Sequence, residues 1–364
     1  MAATTSAAQQ HPPALTFPRP IFAALSPHPF LQAHLSSTAN DRNNSSKAPF
    51  RANGRTPTEF RSPGINTGSL THCNGSAVVR LGNTAVVCGV RAEILKEEDI
   101  PGGRTFASTE EEDENEDEDD TEELSTLRLL VPNVELSTGS TPQHIPGNAP
   151  STFAQTLVTR LRNTLLSTRL VRASDLRIAY TPSSAGSDSE SEPPQVKAYW
   201  VLYIDTLFIS IDGSAFDAAF LAILAALRNT RIPRAYYDEE FEAVLCDDDP
   251  KSARVLRLRG LPVPSTFAVF EGRDEDGDAE GKLEWILSDP DAFEESVCKE
   301  SVCVVVDCSA AGASASRKGS TDGAVVRKIE KSGGTVVGRE DMKVLVGRSA
   351  ERWGVWHKAL KEQI

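Results

Sequence analysis

Gly75-Ser76-Ala77-Val78-Val79-Arg80-Leu81-Gly82-Asn83-Thr84-Ala85-Val86-Val87-Cys88-Gly89-Val90-Arg91-Ala92 is the stretch from which the fold can be read. Side chains alternate between the two faces of a strand, so Ala77, Val79 and Leu81 share one face and Val78 and Arg80 the other. Gly82-Asn83 separates this run from Ala85–Ala92, and Asn74-Gly75 precedes it. Both dipeptides favour positive φ, which tight hairpins need. With Ile65–Leu70 in front, the pattern predicts a three-stranded antiparallel meander that turns at both dipeptides.

Outward from the meander, Leu127–Leu136 resumes a strand-like run. Thr152 and Gln155 have the spacing of a capping box. Phe153, Leu157, Leu161 and Leu165 then fall four apart, as one face of a helix requires. Tyr199–Ile211 is a long run rich in β-branched and aromatic residues that stops at Asp212-Gly213. The helix predicted next turns Phe216, Phe220, Ile223, Leu224 and Leu227 inward, and its alanines let it lie close to a sheet. Near Pro262 a second set begins, with strands expected at Thr266–Phe270, Leu283–Leu287, Ser301–Val306 and Ala324–Ile329. A closing helix is expected at Val344–Leu360, with Trp353 and Trp356 on it. The class is α+β, two lobes of mixed or antiparallel sheet packed with helices. The expected division is a disordered extension (1–27) and a first lobe (28–230) holding an acidic insertion (96–126) and a flexible loop (181–195). A connecting segment (231–260) and a second lobe (261–364) with a C-terminal helix follow.

The 364 residues suffice for about two ordinary domains. The formal charge of −14 is local in origin. Glu110–Glu123 holds twelve acids in fourteen residues, and removing them takes the charge from −14 to −2. A block of like charge repels itself, so this tract is expected to be a solvated loop, or a tail for a basic partner. No run reaches the ~20 apolar residues of a membrane span, and the most apolar stretch, Phe216–Leu227, ends in Arg228. No membrane association is expected. The six cysteines form no Cys-x-x-Cys pair, and the histidines at 11, 28, 34, 72, 144 and 357 are scattered. Neither pattern predicts a metal site. Cys298, Cys303 and Cys308, five apart among valines, are expected as thiols within a buried strand.

Several segments resemble RNase PH-like exosome subunits: Arg51-Ala52-Asn53-Gly54-Arg55, Glu59-Phe60-Arg61, Gly75-Ser76-Ala77 and Leu81-Gly82-Asn83-Thr84. Cys88-Gly89-Val90-Arg91-Ala92-Glu93 and Pro132-Asn133-Val134-Glu135-Leu136 are similar to the non-catalytic ring branch of that family. So are Leu202-Tyr203-Ile204-Asp205, Asp212-Gly213 and Ser265-Thr266-Phe267-Ala268. Each motif is short, but their shared order runs from about Phe30 to the C-terminus. One departure stands at Asn53, where the family opening carries an Asp. Asn keeps the turn chemistry of that position without the charge.

The resemblance implies an RNase PH-like fold and a place in a six-membered ring through which RNA threads. Active relatives shorten RNA from its 3′ end by phosphate attack. That chemistry needs donors cradling the phosphate and carboxylates for a metal or for proton transfer. Their Thr-Arg phosphate pair corresponds here to Ala215 and Phe216, and their two Asp residues six apart correspond to Asp289 and Glu295. Neither Ala215 nor Phe216 can hold phosphate through its side chain, and Asp217 adds negative charge. The acids are expected as retained scaffold on a solvated loop. The resemblance therefore implies a non-catalytic subunit supporting RNA processing and degradation by associated nucleases, without cofactor. Its partners would be other RNase PH-like ring subunits (ribosomal RNA-processing protein 46 the usual neighbour), RNA-binding cap subunits and RNA. It would work in the nucleus, nucleolus and cytoplasm. RNA-backbone contacts are expected from Arg55, Arg61, Arg80 and Arg91, each of which also suits a surface or interface salt bridge. Two competing functions remain: an active phosphorolytic 3′–5′ exoribonuclease, which Ala215 and Phe216 oppose, and a free-standing interaction protein using the acidic tract.

Overall fold

The computed structural model describes residues 17–36, 50–100, 116–141, 144–145, 149–182, 194–272, 284–309, 324–334 and 336–363. The elements in chain order begin with α1 (Arg19–Leu25), α2 (Pro27–Ser36), β1 (Pro63–Thr67), β2 (Gly75–Leu81), β3 (Thr84–Lys96) and α3 (Glu116–Thr126). There follow β4 (Leu130–Leu136), α4 (Thr152–Ser167), β5 (Arg177–Tyr180), β6 (Gln195–Ser210), α5 (Ala215–Asn229), β7 (Arg231–Ile232), β8 (Ala235–Asp238) and β9 (Ala243–Cys246). The last are β10 (Arg254–Val255), β11 (Val263–Glu271), β12 (Glu284–Ser288), α6 (Ala292–Val297), β13 (Glu300–Asp307), β14 (Val325–Ser332) and α7 (Arg339–Lys361). They divide into two compact units, Met1–Pro57 with Gly272–Trp285, and Thr58–Glu271 with Ile286–Ile364.

In the first unit, α1 and α2 pack Phe22 edge-on to Phe30, with ring centroids 5.6 Å apart. The disorder expected through residue 27 is thus corrected for residues 19–25. Pro20 suits a helix start, where its missing N–H is no loss. Further on, the Gly54 N–H donates to the Arg51 carbonyl, and the Arg55 N–H to Asn53 Oδ1 at 3.0 Å. Asn53 therefore performs the turn chemistry that an Asp would.

In the second unit the six-stranded sheet runs β1-β2-β3-β6-β4, and β5 also pairs with β6. Only β4 runs parallel to its partner. In β2, Ala77, Val79 and Leu81 are fully buried and Arg80 is exposed, as the alternation predicts. Leu81 pairs with Thr84 across Gly82-Asn83, and Gly82 has φ +62°, so this tight turn is as expected. The other turn is not. The β1–β2 connection runs from Gly68, which has φ +76°, to Asn74, and Gly75 is already the first residue of β2, paired with Val90. Gly75 is small for another reason. A Cβ there would stand on Thr230 Oγ1 and within 2.6 Å of the Ala226 carbonyl oxygen and Thr230 Cα.

α5 lies that close because Ala218, Ala219, Ala222, Ala225 and Ala226 face its neighbours. Every residue from Ala215 to Leu227 is buried. On α4, Leu157, Leu161 and Leu165 are buried with Ala154, while Phe153 is 46% exposed. Its cap is Ser151, whose side chain accepts the Ala154 N–H, one residue before the Thr152 expected. The second sheet runs β12-β11-β13-β14, and α7 packs Leu345 against Phe267, Val302 and Val304. Both sheets belong to the same compact unit. Cys303 is buried in β13, whereas Cys298 and Cys308 lie beyond its two ends and are only partly buried, which corrects the three-thiol strand.

The acidic tract is corrected most. Residues 116–126 form α3, not a solvated loop. Asp120, Glu123, Leu124 and Leu127 follow helical spacing on one face. Glu123 is fully buried and ion-paired with Arg177, whose Nε lies 3.0 Å from Glu123 Oε1. Asp120 accepts the Ala173 N–H at 3.0 Å, and Leu124 joins the main core. Residues 110–115 of the tract and 183–193 of the predicted flexible loop lie outside the described residues.

Candidate functional site

The site is built where β6 hands over to α5. The chain turns through Gly213, at φ +70°, and Ser214, at φ +47°, before the helix starts. Any side chain at Gly213 would press on the backbone of Pro290 and Asp291, so residues 212–214 and the start of α6 are locked together. Thr84 fixes the turn from the meander side: its Oγ1 donates to the Gly213 carbonyl at 3.0 Å and accepts the Asp212 N–H at 2.9 Å. Asn83 Nδ2 donates to Asp212 Oδ2 at 3.0 Å.

Asp289 enters from the end of β12 with φ +52° and no exposed surface. Arg61 grips it with a backbone N–H (2.9 Å), Nε (2.8 Å) and Nη2 (2.7 Å), while Arg61 Nη1 reaches the Asp212 carbonyl at 2.7 Å. Burial alone would raise the Asp289 pKa. The Arg61 side-chain hydrogen bonds, the charges of Arg352 and Arg61 and the Arg61 N–H reverse this and hold it well below the usual carboxylate range. Arg352, from α7, is 2% exposed and donates to Asp217, the third residue of α5. Asp217 also accepts Thr266 N–H at 3.0 Å and Thr266 Oγ1 at 2.7 Å. The phenyl ring of Phe60 and the indole of Trp356 each lie 4.8 Å from the Arg352 guanidinium.

Glu295 comes from α6. The residue as a whole is exposed, and its Oε1 accepts the Ser214 N–H at 2.7 Å. Enclosure of the carboxyl head pushes its pKa up to about 7. The Ser214 hydrogen bond and Arg61 pull it down, and Asp217 and Asp289 push it further up. A helix N-terminus presents free N–H groups to an anion. In this chain, a carboxylate of its own takes the N–H just before that terminus.

Ala215 and Phe216 are 7% and 4% exposed. The Phe216 ring has the Arg160 guanidinium 4.2 Å above it. Asp289 and Glu295 are thus brought to the same turn as Ala215 and Phe216, though Asp289 is buried and not on a solvated loop. Asp217 is consumed by Arg352 and Thr266 instead of facing a phosphate. Of the four arginines, Arg61 and Arg80 both stand against the Gly82 turn, and Arg91 lies elsewhere on the sheet. Arg61 is a structural cation, its side chain 9% exposed. Arg55 lies in the first unit. Arg80 and Arg91 are exposed on the sheet, and the β3 partner of Arg80, Ala85, is six residues from Arg91, roughly 20 Å. Arg80 Nε donates to the Gly82 carbonyl, and Arg91 pairs with Glu93 at 3.2 Å.

Arg352 was missed by the sequence analysis. The available signal was the helical run Leu345, Ser349, Arg352, Trp356 and Leu360, which puts an arginine on the buried face. Among the described residues no group of His, Cys, Asp and Glu is arranged to hold a metal ion, and no helix is long and apolar enough to cross a membrane.

The six-stranded sheet, the long helix α5 behind it and the second sheet with α7 make a fold of the RNase PH type. Comparison with known proteins agrees. Residues 59–233 match the 3′ exoribonuclease family, domain 1. The chain is 28% identical over 295 residues to exosome complex component rrp43 of Schizosaccharomyces pombe, covering 81% of this chain and 86% of that protein. It is 27% identical over 257 residues to exosome complex component Rrp42 of Thermococcus gammatolerans, covering 71% and 74%. The solved Archaeoglobus fulgidus exosome with RNA bound to the active site has a chain that superposes with a TM-score of 0.57 at 22% identity, covering 91% of this chain and 97% of that one. This last likeness is one of fold. The chain is similar to RNase PH-like exosome components over most of their length.

Proposed function

We propose that the chain is a non-catalytic ring subunit of an RNA exosome. It builds channel wall and subunit interfaces, while associated nucleases process and degrade RNA. One observation carries the absence of phosphorolysis. At the start of α5, Ala215 and Phe216 stand where phosphate ligands are expected, and the Glu295 carboxylate takes the Ser214 N–H. A phosphate would have to displace the Glu295 carboxyl there, and neither Ala215 nor Phe216 offers it a side-chain donor. Membership of the ring is supported by the exosome components it resembles over most of their length. Partners on this view are further RNase PH-like subunits, ribosomal RNA-processing protein 46 among them, RNA-binding cap subunits, and RNA in nucleus, nucleolus and cytoplasm. Arg80 and Arg91 are the arginines of the sheet left for RNA backbone or neighbour contacts.

The test is phosphate-dependent shortening of a single-stranded RNA by the full chain, alone and in the complex purified with it. No release of nucleoside diphosphate attributable to this chain is expected. Release that vanishes in Asp289→Asn while the variant still assembles would overturn the proposal in favour of an active exoribonuclease. Recovery of the chain as a monomer from native extract would overturn ring membership.

A further inference from the structure

A cavity of about 420 Å³ opens at the far end of α5 from the Glu295 turn, lined by Ala225, Arg228, Arg231, Val255, Leu256 and Leu360 among others. Its chemistry is uneven. Among the described residues, two guanidiniums line it and no carboxylate does. Arg228, in the last turn of α5, is half-buried. Among the described residues its guanidinium has no hydrogen-bond or ion-pair partner, and burial alone lowers its pKa. The arginines around the other end of the helix differ: Arg61, Arg160 and Arg352 are all paired with carboxylates. A partly desolvated cation without a counter-charge is an unfavourable arrangement that an incoming anion relieves.

The walls say which anion. Ala225, Leu256, Leu258 and Leu360 are aliphatic, and Val255 at the mouth is 55% exposed. Among the described residues no aromatic ring lines the cavity, so a nucleic-acid base would find no stacking platform there. The volume falls within the range of ligand pockets, ~300–1,000 Å³, enough for a pair of side chains. We propose that this cavity receives a segment of another protein in which a Glu or Asp stands beside a leucine-like side chain, the carboxylate pairing with Arg228 and the aliphatic group covering Val255 and Leu256. The site is separate from the α5 N-terminal turn and does not depend on the chain's being catalytically silent.

The probe is the capped tripeptide acetyl-Leu-Glu-Leu-amide, titrated into the ¹⁵N-labelled full chain while the arginine Nε–H signals are followed. The expected result is a saturable shift of the Arg228 signal, with affinity at least tenfold weaker for acetyl-Leu-Gln-Leu-amide and for Arg228→Gln. Val255→Asp, a change at an exposed position, is expected to weaken binding similarly. It serves as an independent variant should Arg228→Gln not fold. Equal affinity for the Glu and Gln peptides, no shift at saturating peptide, or tighter binding of a pentaadenylate than of the Glu peptide would each overturn the proposal, the last by assigning the cavity to RNA backbone.

Discussion

Gly75→Ala separates two explanations of one glycine. As the second residue of an Asn-Gly hairpin turn, Gly75 would be needed for its φ. In the structure it is needed for its missing Cβ, because α5 crosses β2 there. An added methyl would stand on Thr230 Oγ1 and 2.6 Å from both Thr230 Cα and the Ala226 carbonyl oxygen. Two of these atoms are backbone, in a helix whose neighbouring residues are fully buried, so the obstruction cannot swing aside. Overpacking of this kind costs about 1–3 kcal/mol, and the backbone contacts argue for the upper end, about 3 kcal/mol. With a urea dependence of about 3 kcal/mol per molar, the midpoint should fall by roughly 1 M. Gly68→Ala is the control, since φ is +76° but nothing lies within 4 Å of its Cβ position. It should cost about 1–2 kcal/mol, from the left-handed backbone alone. Gly75→Asn gives the sharper contrast. Asn tolerates positive φ, so a turn role makes it milder than Ala, whereas a packing role makes it at least as damaging. An Asn variant more stable than the Ala variant, or Gly75→Ala milder than Gly68→Ala, would refute the packing explanation.

Asp289→Asn should destabilise the chain by about 3 kcal/mol, because it leaves the buried Arg61 and Arg352 without their shared charge. Since the Asp289 pKa is depressed on folding, its contribution is complete above the unfolded value of about 3.9 and is lost as pH falls below it. The variant should therefore show a flatter acid limb in stability against pH, and an unchanged limb would contradict this. Glu295 runs the other way. Its pKa rises to about 7, so the folded chain binds the extra proton between the ordinary glutamate value of about 4.3 and about 7, and stability declines as pH rises through that window. Glu295→Gln should remove that decline in a melting-temperature series, and a Gln variant that retains the full slope would sink the assignment. Glu123→Gln should cost about 3 kcal/mol through the abandoned Arg177, whereas removing Glu110–Glu114 should change stability by about 0.5 kcal/mol or less, since chain-closure entropy varies slowly with length. Equal effects in urea unfolding would return the whole tract to a solvated role.

The sheet was legible because its code is local. Alternation marks β2, and Gly82-Asn83 marks its turn whatever surrounds it. β6 and α5 were legible for a similar reason: long apolar runs with a clear period leave few alternatives. The failures share a physical cause, which is that their partners are distant in sequence. Nothing near Gly75 announces that Thr230 will sit against it. Glu123 reads as one acid among twelve until Arg177 is placed beside it, and α3 itself holds a single apolar residue, Leu124, to mark a buried face. Asp289 looks solvated because Pro290 and Asp291 suggest a loop, while Arg61 lies 228 residues away. Ala215, Phe216, Asp289 and Glu295 could be located, but not that one acid is clamped by arginines and the other turned onto the start of a helix.

This arrangement explains why two substitutions would not install a phosphate site. On the proposed function, Ala215→Thr and Phe216→Arg would restore the phosphate pair that the resemblance implies in name only. Phe216 is buried beneath Arg160, whose guanidinium lies 4.2 Å from its ring and pairs with Glu330 at 3.0 Å. An arginine at 216 would be forced against a second guanidinium and would lose the contact with Phe220. The anion's place is also contested, because Glu295 would have to release the Ser214 N–H before phosphate took it. Asp217, one residue along, is tied to Arg352 on α7 and to Thr266 on β11 and cannot be neutralised without exposing a buried cation. On the proposed function, silence is thus a property of packing spread over α4, α5, α6 and α7, with each element holding the others in an arrangement that binds its own carboxylates where active relatives bind substrate.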